Sequence, residues 1–312
     1  MKPTESRIFG PVPSRRLGFS LGVDLVPFKT CTYDCIYCQL GRTTNKTLEC
    51  KEFFPVSNIL TQLKKRLSTS NPDVITFSGS GEPTLYSKID LIISGIKEIT
   101  DLKIAILTNG SLFWNKEIRK KVLGADIILP TITTVFEETY KLIHRPHPGL
   151  QVSSLIEGLL RLRDEYNGKI FLEFFVLRGI NDKEKELKAI KDVVDKIAPE
   201  KIQINTVARP PSEKKAEPME YKELIEICKF LGKNAEVIAY KPREASKFLE
   251  DKALYVLEMI KRRPVTEKDI SEAIEIEKEE LQSILKGLMI KGMISKYKHL
   301  GNTYYIFKEG KR

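Results

Sequence analysis

No apolar run in this 312-residue chain approaches the roughly 18 residues that a membrane-spanning helix needs. The first ten residues, Met1 to Gly10, are polar and charged where a secretory leader would need an apolar stretch, so a cytoplasmic location with no membrane partner is expected. There is no internal repeat and no low-complexity tract, and glutamine is scarce. Cysteine is also sparse: five residues, an odd number, which fits poorly with a framework of disulfide pairs. The cysteines that are present crowd together, since Cys31, Cys35 and Cys38 share a single short segment. In a reducing cytosol such a cluster reads as metal binding.

Charge is not lacking. The 52 Lys and Arg outnumber the 42 Asp and Glu, giving a net charge of +10. The excess is spread: residues 1–50 carry 7 basic and 4 acidic side chains, and residues 250–312 carry 13 and 11. Such a balance suits an anionic partner such as nucleic acid, whose counterions Lys and Arg replace. It also suits a merely soluble basic protein. The abundance of Lys and Glu resembles the composition of heat-adapted proteins. A length of 312 residues allows two domains, one large enough for a barrel.

Between residues 20 and 240, short β-branched runs alternate with helical patterns, the grammar of βα units on a parallel sheet. Strands are predicted at Gly22–Val26, Asp73–Phe77, Lys103–Leu107, Asp126–Leu129, Lys169–Leu177 and Lys201–Asn205, with a seventh at Glu236–Ala239. Helices are predicted at Ser57–Ser68, Lys88–Ile99, Asn115–Leu123, Phe136–Ile143, Val152–Tyr166, Asp182–Ile197 and Tyr221–Leu231, with Ser57 and Asp182 as N-caps. Six βα units make an α/β fold of the partial (β/α)6 TIM-like barrel kind, since a closed barrel needs eight.

Residues 241–250 read as a polar joint. Beyond it come an amphipathic helix Ala253–Arg262, a second helix restarted by Pro264 and Thr266 through Ala273, and a third at Glu279–Lys291. Gly292 stops the third, and strands Met293–Lys298 and Thr303–Lys308 follow around a turn at Gly301-Asn302. That order is a small C-terminal winged helix-turn-helix. The expected domains are residues 1–245 and 250–312.

Cys31-x3-Cys35-x2-Cys38 places three thiolates on one tight loop. They can ligate three irons of a cubane and leave the fourth iron open. The alternative is zinc with Cys50 or a histidine as fourth ligand, although no second ligand pair follows; Cys228 sits on an apolar helix face as a core residue.

With Tyr37 just before the last cysteine, the motif resembles the signature of the radical S-adenosylmethionine (radical SAM) superfamily. The resemblance covers residues 8–240. It implies a partial barrel and a 4Fe-4S cluster whose unique iron is chelated by S-adenosylmethionine, which is cleaved reductively to a 5′-deoxyadenosyl radical. It implies Cys31, Cys35 and Cys38 as metal ligands and catalytic residues, with Tyr37 beside the cofactor. Ser78-Gly-Ser-Gly81-Glu82-Pro83-Thr84, after the second strand, is similar to the family's Gly-Gly-Glu-Pro motif, with Ser80 in place of the first glycine. Gly81 would let the backbone approach a ligand, and Glu82 could accept the methionyl ammonium. Asn109 and Thr131, after the third and fourth strands, occupy places where family members contact ribose or carboxylate; each could equally serve turn chemistry or a cap. Thr131 and Thr133 stand where related sequences commonly carry Ser or Asp.

Glu173 lies among apolar neighbours and faces either the lumen or the opposite side of its strand. Arg178, Asn181, Asn205 and Arg209 lie at the last strand ends as substrate or cofactor contacts or as solvated loop residues. His144-Arg145-Pro-His147 could grip an anion or shuttle a proton. Arg15 and Arg16 lead into the first strand and could hold a phosphate or carboxylate. This amino-terminal run resembles an archaeal and bacterial radical SAM group near the wybutosine-synthesis enzymes.

In the C-terminal unit the third helix opens on Glu277-Lys-Glu-Glu280, against phosphate binding, whereas the wing offers Lys296, Lys298, His299, Lys308, Lys311 and Arg312. The reading is a radical enzyme fed by an external ferredoxin- or flavodoxin-type donor and modifying an RNA base, in tRNA above all. Its alternatives are a peptide or small-metabolite substrate with the winged helix as docking module, and a zinc-stabilised nucleic-acid-binding regulator without catalysis.

Overall fold

A computed structural model of the chain describes residues 6–239, 252–274 and 276–308. Strands β1 (Ile8–Ser14) and β2 (Gly18–Val23) form an antiparallel hairpin, with a register shift between Phe9 and Val12. Two-residue strands β3 (Thr30–Cys31) and β4 (Asn45–Lys46) pair in parallel and pin together the two ends of the cysteine loop. Then follow α1 (Val56–Leu67), β5 (Val74–Phe77), a 3-10 turn at Pro83–Leu85, α2 (Ile89–Ile99), β6 (Lys103–Thr108), α3 (Lys116–Val122) and β7 (Ile127–Ile132). Next come α4 (Glu137–His144), α5 (Val152–Glu165), β8 (Lys169–Phe175), α6 (Glu184–Ile197), β9 (Lys201–Asn205), α7 (Tyr221–Leu231) and β10 (Ala235–Val237).

These strands form one eight-stranded sheet in the order β1-β2-β5-β6-β7-β8-β9-β10. Every neighbouring pair from β2 to β10 is parallel. Each of the six crossovers carries helix, which is the α/β arrangement with a parallel sheet expected of a partial barrel. Val74–Phe77 is buried throughout, as a strand covered on both faces must be. Ile89, Ile92, Ile93 and Ile96 place one apolar stripe of α2 against the sheet.

The differences from the sequence reading are local. β1 was not predicted, and the first strand begins at Gly18 instead of Gly22. Gly18, Ser20 and Gly22 dilute the apolar signal there, and Pro11 and Pro13 interrupt the run in β1. β7 continues through Pro130, which pairs with Thr108. Helix α1 is preceded by Pro55 and lacks a side-chain cap, and Ser57 lies inside its first turn. Lys183 occupies the cap position of α6, while Asp182 accepts from the Gly179 amide at 2.8 Å.

The C-terminal residues form α8 (Lys252–Arg262), α9 (Glu267–Ser271), α10 (Lys278–Ile290), β11 (Ile294–His299) and β12 (Asn302–Phe307). Thr266 and Asp269 close a capping box on α9. The hairpin turn is Leu300-Gly301, both with positive φ (48° and 75°), one residue earlier than predicted because leucine does not advertise that conformation. Tyr255, Val256, Met259, Val265, Leu285 and Tyr305 share a separate core, onto which Val12 of β1 packs. Arg209 Nη2 lies 3.0 Å from Asp269 Oδ1, and the Tyr304 hydroxyl donates to the Ala208 carbonyl at 3.2 Å. The polar joint, the expected boundary at 245–250, Lys311 and Arg312 lie outside the described residues. Among the described residues no helix is long and apolar enough to cross a membrane.

Candidate active site

The cysteine loop is stitched to the glycine-rich loop after β5 before any sulfur is considered. The Lys29 amide donates to the Ser80 carbonyl at 2.8 Å, and the Glu82 amide to the Thr30 carbonyl at 3.1 Å. A Cβ on Gly81 would run into that Thr30 carbonyl, so the two loops cross only because residue 81 is glycine. Gly81 thus serves a loop crossing as well as lining the cavity described below.

Each sulfur has a nitrogen beside it. Cys31 Sγ accepts from Asn109 Nδ2 at 3.6 Å, Cys35 Sγ lies 3.1 Å from His144 Nδ1, and Cys38 Sγ lies 3.9 Å from Lys29 Nζ. Burial pushes the Cys31 thiol up to about 12, with the Glu82 carboxylate adding to the shift, and burial pushes Cys35 well up too. Thiolates in such a place need cationic partners, and the irons of a cluster supply them; the donor set therefore fits a cluster. A single ion requires ligands that converge on one point, and among the described residues no group of three His, Cys, Asp or Glu does so. In a cubane each thiolate has its own iron. Cys50 is directed elsewhere, towards the carbonyls of Leu48 and Thr84, and Cys228 is buried on α7.

His144 and Arg145 back this loop and line neither of the two cavities described below. The Asp34 and Ile36 amides donate to the carbonyls of His144 and Ile143, both at 2.9 Å, so the cysteine loop caps the last turn of α4. Burial lowers His144 to about 3 and keeps the imidazole neutral, with Nε2 2.8 Å from Thr133 Oγ1. Arg145, the left-handed residue ending α4, donates from Nε to the Asp34 carbonyl at 2.7 Å and pairs with Glu213 at 2.7 Å. His144 and Arg145, two of the residues expected on the substrate side, are thus bound to the cysteine loop. His147 Nδ1 accepts from the Gly149 amide.

At the carboxyl ends of the strands the side chains interlock. Glu82 Oε1 accepts from the Thr84 amide (3.1 Å), the Thr84 hydroxyl (2.6 Å) and the Thr108 hydroxyl (2.6 Å), and Oε2 from the Asn109 amide (2.8 Å). Burial raises the pKa of Glu82 against the pull of these donors. Pro83 begins the buried 3-10 turn that fixes Glu82. Asn109 Nδ2 also donates to Thr32 Oγ1 at 2.8 Å.

Glu173 faces the lumen, because its strand register sets it beside Thr131 of β7 and the Asn205 side chain reaches back from β9. It accepts from Thr131 Oγ1 at 2.7 Å, from Asn205 Nδ2 at 2.8 Å, and from Arg16. Arg15 donates to the Ala239 carbonyl. Tyr37 stacks on Phe175 at 4.0 Å between ring centroids. Arg178 instead pairs with Glu223 at the surface, and Asn181 is spent on the backbone of Leu177, Thr133 and Phe175.

A cavity of about 420 Å³ brings together the three cysteines, Tyr37, Gly81, Glu82, Asn109, Thr131, Glu173, Arg15, Arg16 and Arg209. Sequence reasoning missed Thr84 and Thr108, which hold Glu82, and Asp24, whose carboxylate takes the Ser80 amide at 3.0 Å. It also missed Met259, Arg262 and Arg263, which bring the C-terminal unit into the cavity wall. Thr84 belongs to the Ser78–Thr84 motif and reaches Glu82 across two residues, whereas the others are revealed only by the packing of distant segments.

The chain is similar to known proteins in sequence and in fold. The sequence model of the Radical SAM superfamily matches residues 25–190. A protein of Brachyspira hyodysenteriae named GTPase Obg is 40% identical over 232 residues, 74% of this chain and 34% of that protein. The chain thus spans about a third of the length of that relative. The UPF0026 protein of Methanocaldococcus jannaschii is 33% identical over 308 residues, covering 96% of this chain and 95% of that protein. Among solved structures, TYW1 with a lysine-pyruvate adduct bound overlays with a TM-score of 0.52 at 16% identity, covering 72% of this chain and 75% of that one, a likeness of fold.

Proposed function

This chain belongs to the radical SAM superfamily, and from that premise we propose that it is a cytoplasmic enzyme modifying an RNA base, in tRNA above all. The zinc-stabilised regulator without catalysis falls with that membership. When bound, the 4Fe-4S cluster supplies the electron that cleaves S-adenosylmethionine reductively. Cys31, Cys35 and Cys38 hold the cluster, and Asn109, His144 and Lys29 orient their sulfurs. Glu82, Gly81, Tyr37, Asn109 and Thr131 line the cofactor side of the cavity. Glu82 Oε2 takes only one donor among the described residues and keeps acceptor capacity for an ammonium group. No second cysteine cluster exists in the sequence to relay electrons, so an external ferredoxin- or flavodoxin-type donor reduces the site.

The observation that carries the substrate reading is the part of the cavity wall that the C-terminal unit completes. There the C-terminal unit contributes Arg262 and Arg263 beside Arg209 and Arg16 of the sheet unit. Arg16, Arg209 and Arg262 are each paired with a carboxylate, Glu173, Asp269 and Asp24, so this wall offers guanidinium groups and not free charge, and the polyanion reading rests on them together with the net charge of +10. The order of three helices and a hairpin reads as a winged helix. Its third helix begins with Glu279 and Glu280 in the first turn, so the hairpin and not that helix meets phosphate in this reading.

The test compares tRNA nucleosides from a deletion strain and its parent by mass spectrometry. One modified nucleoside missing from the deletion strain and restored by the wild-type gene is expected. Identical profiles, with 5′-deoxyadenosine formation by the purified enzyme stimulated instead by a peptide or metabolite fraction, would overturn the RNA reading.

A further inference from the structure

A second cavity, about 950 Å³, opens between the cysteine loop, the segment after β9 and the C-terminal unit. It lies at the top of the range of roughly 300–1,000 Å³ usual for small-molecule pockets. Its lining includes the cationic side chains of Lys214, Lys261 and Lys298 and, among the described residues, no carboxylate. Lys214 and Lys298 are exposed and have no acidic partner within ion-pair distance among the described residues, and Lys261 Nζ stands 5.6 Å over the Phe307 ring. Arg42, also on the rim, is already matched by Asp34 at 2.8 Å and Glu213 at 3.2 Å. Planar rings are interleaved with these cations: Phe28 on the cysteine-loop side, and Tyr297 (38% exposed) and His299 on β11.

Gln39, Leu40 and Arg263 line this cavity and the catalytic one alike, so the two share a partition only a few side chains wide. Unmatched cations track a phosphate backbone, and exposed rings stack on unpaired bases, since every base has a π-face. Chemistry on a base requires that the base leave its stack. We infer that this cleft binds an unpaired RNA strand whose phosphates meet Lys214, Lys261 and Lys298 and whose neighbouring base stacks on Tyr297, so that one splayed nucleotide enters the catalytic cavity past Gln39 and Leu40. The inference rests on the RNA reading and adds to it where the strand lies and in what conformation.

The test measures binding of a fluorescein-labelled oligouridylate to the anaerobically reconstituted full chain across a salt series. A blunt RNA duplex of equal length and poly-glutamate serve as competitors. The K214A/K261A/K298A variant is expected to bind weakly, with a log–log salt slope shallower by about 2, at ~0.7 per phosphate lost on single strands. Tyr297→Ala is expected to lose roughly tenfold in affinity. K64A/K65A/K222A removes equal charge from exposed positions on α1 and α7 and is expected to bind as the unaltered chain does. Unfolding midpoints and iron content check that each variant is intact. If the unaltered chain binds RNA and both triple variants lose affinity equally, the cleft is wrong and the RNA reading stands. If the unaltered chain binds no RNA, the RNA reading falls as well. Displacement by the duplex as effective as by the single strand, or by poly-glutamate alone, overturns the unpaired strand as occupant.

Discussion

The Arg262 guanidinium at the end of α8 lies 3.3 Å from the carboxylate of Asp24, which follows β2 and is buried beneath the glycine-rich loop. Burial raises the pKa of Asp24, and Arg262 opposes that rise. A charge inside the sheet unit is therefore balanced by a helix of the C-terminal unit. Arg262→Ala is expected to destabilise the protein by about 3 kcal/mol, because it leaves a buried carboxylate without its nearest cation. Asp24→Asn in the same chain should recover much of that loss. Urea unfolding of the full cycle checks this, and strictly additive effects would refute the coupling.

Gly81→Ala forces a methyl group onto the Thr30 carbonyl, one residue before Cys31. Backbone cannot yield as a flexible side chain can. Iron bound per chain after anaerobic reconstitution is expected to drop at least severalfold, whereas Gly287→Ala, whose new Cβ meets nothing, should leave it unchanged. Equal iron in both variants would show that the crossing tolerates displacement.

His144 reaches Cys35 from the α4 side and never enters the catalytic cavity. In the tautomer that donates from Nδ1 to Cys35 Sγ, a neutral imidazole would stabilise the reduced, more negative form of a cluster held there and raise its potential. His144→Phe should retain the cluster and lower its midpoint potential, while His144→Gln, which keeps a donor, should shift it less. Redox titration followed by electron paramagnetic resonance reads the difference. Identical potentials in all three proteins would leave His144 a packing residue only.

Arg119, with a side chain 1% exposed, holds Glu165 through two 2.8 Å contacts, Nε to Oε2 and Nη2 to Oε1. The hydrogen bond from Arg119 depresses the Glu165 pKa. Its contribution is therefore complete above the unfolded carboxyl value near 4.5 and is lost as pH falls through the lower folded value. With Glu165 about a third exposed, the contribution is about 1–2 kcal/mol. Glu165→Gln should lose that much at neutral pH and show a flatter decline below pH ~4.5. An acid limb parallel to that of the unaltered chain would contradict the assignment.

What could be read from sequence alone was what is local in sequence. Three cysteines on one loop, Glu82 after the next strand and Asn109 after the one beyond are each set by a short motif at a strand end, and a parallel sheet brings such ends together by construction. Cys35 and His144 meet only because the cysteine loop caps α4, and nothing in either segment announces that. Glu173 left two faces open until strand register fixed one. Asp24 and Arg262 belong to different units, so neither segment specifies the other. β1 was lost because prolines and glycines mask a strand whose pairing is secured by its neighbour.

That hairpin shapes one border of the sheet. β1 runs antiparallel along one border of the sheet, is kinked between Phe9 and Val12, and carries Val12 against the C-terminal core. The opposite border, β10, is three residues long with the acidic Glu236 at its centre. A border that is bent and covered, facing one that is short and charged, gives an incoming strand few backbone groups to pair with. Among the described residues neither border is a long, flat template for strand addition.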